Sequence, residues 1–66
     1  MSSLGEALPA EIDRNVELLR DYQGIGPAGQ IGASFIKQDI DRAIKAMASG
    51  DVTQMLQAYE AMKNNK

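Results

Sequence analysis

Gly24, Gly26 and Gly29 follow the order Gly-x-Gly-x-x-Gly within the stretch Gly24-Ile25-Gly26-Pro27-Ala28-Gly29-Gln30-Ile31-Gly32-Ala33-Ser34, which holds four of the six glycines of the chain. Glycines in that spacing let backbone N–H groups come close to a phosphate, because no Cβ stands between amide and anion. If a helix starts here, its first turn offers unbonded amides, with Gly26 and Gly29 as points of close approach. Gln30, Ser34 and Lys37 would add side-chain contacts, and Tyr22 a ring for a base to stack on. Such a site binds without catalysing. The chain has no Cys and no His, so it lacks a thiol nucleophile, the commonest general base near neutral pH and the usual zinc ligands. The spacing of the acidic residues supplies no converging carboxylates for a metal. The sequence therefore implies no enzyme, no cofactor and no metal centre.

A dinucleotide fold does not fit the same motif. That fingerprint needs a strand leading into the turn and a helix after it, whereas here a helical pattern precedes Gly24. A P-loop is also missing, since no Gly-Lys-Ser/Thr follows. The alternative to an anion site is that these glycines serve helix contact. With Gly26 before a helix and Pro27 at its first position, Gly29, Gly32, Ala33, Ile36, Ile40, Ala43, Ile44 and Met47 fall on one stripe over roughly residues 27 to 49. Small residues in the upstream half let another helix approach, at a propensity cost of up to about 1 kcal/mol per Gly.

The elements that must position this stretch are helices. Leu8, Ile12, Val16, Leu19 and Gln23 step by three or four, with Leu18 and Tyr22 widening the arc, which predicts a first helix over roughly residues 9 to 22 with Pro9 in its first turn. Residues 1–7 are expected to be a frayed tail. The second helix is predicted to close at Ser49-Gly50, where Gly takes a left-handed conformation. Asp51 and Gln54 have capping-box spacing for a third helix, whose stripe is Val52, Met55, Leu56, Tyr59 and Met62. Lys37, Asp41 and Lys45 are spaced as a charge ladder on a solvated face. The expectation is a single all-α domain over residues 1–66, a three-helix protomer ordered as helix, Gly-rich turn, long helix, short turn and helix. The segment 43–63 resembles one tetratricopeptide helical hairpin, without the further copies that an array requires.

A chain of 66 residues buries only about 60% of the surface its unfolded form exposes. With no disulfide or zinc available, oligomerisation is the remaining route to stability. Ile31 and Phe35 point away from the Ile36–Ile40 line, leaving the first half of the second helix apolar on two faces. Ile31, Phe35, Ala28 and Gly32 are thus the candidate interface residues, unless the first helix reaches round to cover them. Net charge is −2, and the seven basic residues are dispersed, which disfavours nucleic acid as a partner. No apolar run approaches the ~20 residues of a membrane span, and the N-terminus lacks a signal-peptide pattern. A cytoplasmic protein with no membrane partner is expected.

In size, acidity and the Gly-Ile-Gly-Pro-Ala-Gly-Gln-Ile-Gly-Ala segment, the chain is similar to short helical proteins that phages and prophages encode to interfere with host defence or regulation. That resemblance implies a protein-binding inhibitor or a ligand sponge. The functional expectation is a homo-oligomeric helical protein that binds and inhibits or modulates another protein. The alternatives are a protein that sequesters a nucleotide or cyclic nucleotide at the Gly-rich stretch, and a structural accessory subunit.

Overall fold

A computed structural model describes residues 3–66 of the chain. Three helices account for almost all of them: α1 spans Leu4–Gly24, α2 Gln30–Ser49 and α3 Val52–Lys63, with a 3₁₀ turn at Pro27–Gly29 leading into α2. The fold is all-α, and each helix touches the other two. None is long and apolar enough to cross a membrane among the described residues.

Of the tail expected over residues 1–7, Met1 and Ser2 lie outside the described residues, whereas Leu4 to Ala7 already belong to α1. The helix starts ahead of Pro9 because the Ser3 carbonyl accepts from the amides of Glu6 and Ala7, at 3.0 and 2.8 Å, which closes a first turn upstream of the proline. Pro9 then sits inside the helix, where its missing N–H leaves the Gly5 carbonyl without a helical donor. Between α1 and α2 the chain reverses at Gly26, whose φ of 91° suits glycine alone, and Pro27 occupies the first position of the 3₁₀ turn.

The second reversal follows the expected chemistry. Gly50 closes α2 with φ 71°, its amide donating to the carbonyls of Ala46 and Met47. The Asp51 carboxylate accepts from the Gln54 amide at 3.1 Å. The return half of the capping box is not formed: the Asp51 amide donates to Ser49 Oγ at 3.3 Å, and the Gln54 side chain accepts from Arg42.

Leu8, Ile36, Ile40, Ala43, Ala58 and Met62 form the core, with Ile12, Val16, Leu18, Leu19, Tyr22, Met55 and Tyr59 half-buried against it. Two expected stripes shift. On α2, Ile44 and Met47 stay 51% and 38% exposed while Ala43 and Ala46 are buried; on α3, Val52 and Leu56 are exposed and Ala58 is buried. The cause is the dual duty of α2. It must contact α1 and α3 at once, so its inward face turns towards the small residues that allow α3 to approach. On α1, Gln23 is exposed and Asn15 takes a fully buried place on the stripe.

Asn15 is held by hydrogen bonds on every side. Its Nδ2 donates to the Glu11 carbonyl at 2.9 Å and the Met62 carbonyl at 3.3 Å, and its Oδ1 accepts from Asn65 Nδ2 at 2.9 Å. Asn65 Nδ2 also donates to Asp39 on α2 at 2.9 Å. Arg14 donates to the same Met62 carbonyl at 2.6 Å, which also accepts from the Asn65 amide at 3.1 Å. Glu11 hydrogen-bonds Arg14 and thereby raises its pKa above the ordinary value, so this clamp carries a permanent charge. One polar network ties α1, α2 and the segment after α3 together.

Candidate functional site

The Gly-rich stretch lies where α1 hands over to α2, and its glycines are used by the protein itself. A Cβ on Gly32 would stand 2.5 and 2.6 Å from Cε2 and Cδ2 of Tyr22, and one on Gly29 would fall inside the Tyr22 carbonyl and 3.0 Å from the Ile25 Cβ. Gly32 is therefore a point where α2 meets α1, and Gly29 one where the 3₁₀ turn meets the end of α1, without an intervening side chain. The Tyr22 hydroxyl donates to the Lys66 main-chain oxygen, so its ring is pinned on Gly32.

The amides expected to face an anion are largely occupied. Gly29 N–H donates to the Gly26 carbonyl at 3.0 Å, and Gln30 N–H to the Pro27 carbonyl. Pro27 has none. The 3₁₀ turn thus consumes donors that an ordinary helix start would leave open.

Of the six residues expected to share a ligand site, Gln30, Ser34 and Lys37 do come together. They line a groove of about 280 Å³ with Leu19, Gln23 and Ala33. Tyr22, Gly26 and Gly29 do not line it.

Of the four candidate interface residues, Ile31 is 73% exposed, Phe35 62% exposed and Ala28 exposed. The first helix does not cover them. Gly32 differs, because it lies beneath the Tyr22 ring rather than on the open face. Ile25, on the turn before Pro27, is exposed as well.

That surface continues along α2 in a way that apolar periodicity alone did not reveal. Ile31, Phe35, Gln38, Arg42 and Lys45 recur at alternating steps of four and three and are all exposed, occupying an arc of about 80° opposite Ala33, Ile36 and Ile40. Beside its second half lies an open groove of about 570 Å³, lined by Gln38, Asp41, Arg42, Lys45, Ser49 and Gln54 together with Ala46. Arg42 is steadied there by Gln57 at 2.7 Å and Gln54 at 3.4 Å, both accepting through Oε1. The expected ladder of Lys37, Asp41 and Lys45 forms no ion pair. Among the described residues the ion pairs are Glu11–Arg14 and Glu17–Arg20, both on α1.

Comparison with protein-family models, with curated proteins and with solved structures finds no match.

Proposed function

We propose that the chain is a non-catalytic helical binding protein that docks another protein on the outward face of α2, inhibiting or modulating it, and that works as a homo-oligomer. The observation that carries this reading is the exposure of Ile31 and Phe35, two large side chains on consecutive turns of one helix face. Burying either fully is worth about 1.5–3 kcal/mol, and a contiguous apolar face at a helix surface marks an interaction site. Self-association is supported by the modest core: of the eight buried hydrophobic residues among those described, four are alanine. Ile44, Met47, Val52 and Leu56, exposed on either side of the α2–α3 turn, offer a further surface for contact between copies.

The test is the double variant Ile31→Glu/Phe35→Glu, used beside wild type as affinity bait and in sedimentation equilibrium. A protein retained by the wild type and lost by a variant with unchanged circular dichroism is the expected result. Equal retention by both would place target binding elsewhere.

The groove of Gln30, Ser34 and Lys37 supports a second reading, a small anionic ligand held by the Lys37 ammonium and the neighbouring amide and hydroxyl donors. Native mass spectrometry of the purified protein, with and without Lys37→Ala, decides it. A retained nucleotide-sized mass that Lys37→Ala eliminates would favour sequestration over protein docking.

A further inference from the structure

We propose that the outward seam of α2 takes an acidic amphipathic helix of a partner protein, with apolar contact at Ile31 and Phe35 and carboxylate contact at Arg42 and Lys45; this rests on the docking role proposed above. Three observations support it. The exposed positions 31, 35, 38, 42 and 45 follow the alternating steps by which one helix meets another along a shared seam. From Ile31 to Lys45 the seam runs about 21 Å at 1.5 Å per residue, so the occupant is a helix of about four turns.

The seam is also divided by chemistry. Its first half is Ile31 and Phe35; its second half carries two cations, neither of them ion-paired. Arg42 is held in place by neutral amide oxygens of Gln54 and Gln57, which orient the guanidinium and leave its charge uncompensated. Asp41 borders the same groove, so the local excess is one positive charge, within a chain whose net charge is −2. At physiological salt the field of groups beyond about 8 Å is largely screened, so the contacting carboxylates respond to the groups bordering the groove, Arg42 and Lys45 opposed by Asp41.

A second copy fits this seam poorly. Laid parallel, Arg42 and Lys45 would meet their own counterparts; laid antiparallel over its full length, each cation would lie over Ile31 or Phe35 of the other copy. Both arrangements desolvate charge without a partner. A helix with apolar residues at one end and Glu or Asp at the other satisfies both halves.

The test uses two synthetic peptides of about four helical turns, identical in the Leu residues that face Ile31 and Phe35, one with Glu and one with Lys at the positions facing Arg42 and Lys45. Each is titrated into the isotopically labelled full chain, followed by amide chemical shifts. The Glu peptide should bind saturably, shifting residues 31 to 45. Arg42→Glu/Lys45→Glu, checked for folding by circular dichroism, should weaken it by about tenfold or more and should favour the Lys peptide instead.

Equal binding of both peptides, lost together in Ile31→Glu/Phe35→Glu, would overturn the acidic specificity and leave the docking role standing. No binding of either peptide overturns the inference, whereas the docking role is judged separately by the bait experiment. Concentration-dependent protection of residues 31 to 45 without peptide would assign the seam to a second copy. Tighter binding of a single-stranded oligonucleotide would assign it to phosphates. Either result rejects the proposal.

Discussion

The ring of Tyr22 lies on the bare backbone of Gly32, one side chain from α1 filling the space that a methyl group on α2 would need. With its hydroxyl joined to the Lys66 main-chain oxygen, Tyr22 links the start of α2 to the segment that follows α3. Any side chain at position 32 must displace that ring.

Substitution at the two contact glycines should therefore destabilise despite the better helix propensity of alanine. Gly32→Ala gains up to about 1 kcal/mol in propensity and loses about 1–3 kcal/mol to overpacking. Gly29→Ala should cost more, because the obstacle is the Tyr22 carbonyl rather than a side chain able to turn. Urea denaturation of both variants checks the order. Tyr22→Ala should partly rescue Gly32→Ala and leave Gly29→Ala unimproved.

The buried Asn15 network should be strongly coupled. Asn15→Ala removes one of two acceptors for Asn65 Nδ2 and one of three donors to the Met62 carbonyl, and a loss of about 2–4 kcal/mol is expected from a cavity plus weakened hydrogen bonding. Asn65→Ala should cost less, since Asn65 is only partly buried. A double-mutant cycle of the two in chemical denaturation should give a coupling of about 0.5–3 kcal/mol; strict additivity would mean that the network does not act as a unit.

The α2–α3 reversal offers two local tests. Gly50→Ala forces a residue with Cβ into φ 71°, at about 1–2 kcal/mol. Asp51→Ala removes the acceptor for the Gln54 amide, at about 1 kcal/mol. Thermal unfolding should show both losses, and Asp51→Asn should recover most of the second.

Surface and core should separate cleanly. Ile31→Glu and Phe35→Glu change side chains that contribute little burial within one protomer, so each should alter protomer stability by no more than about 0.5 kcal/mol. Leu8→Ala and Met62→Ala, at fully buried positions, should each cost about 2–5 kcal/mol. Measurement at dilution, where copies dissociate, keeps association out of the comparison. A large loss from Phe35→Glu there would show that its ring supports the protomer rather than an interface.

Local chemistry was legible in the sequence at several positions that depend on near neighbours, but not at Pro9, the Gln54 half of the capping box or the Lys37–Asp41–Lys45 ladder. Helical periodicity, the glycine that closes α2 and the aspartate that caps α3 act over three or four residues and stand where the residue types place them, whereas Pro27, expected to open the second helix, opens a 3₁₀ turn and α2 starts at Gln30. The outward direction of Ile31 and Phe35 follows from helix geometry in the same way. Tertiary contact decided the rest. Which of Ala43, Ile44, Ala46 and Met47 turns inward depends on where two other helices press on α2, and small residues won because they permit approach. Asn15 carried one signal, a polar residue on an apolar stripe, but its partners at Met62 and Asn65 lie 47 and 50 residues away. The glycines read first as a helix contact and second as an anion cradle; the ring and carbonyl of Tyr22, brought against Gly32 and Gly29 by the reversal at Gly26, make those two a contact. Propensity and spacing belong to the chain, whereas occupancy of a given space is settled only when all three helices compete for it.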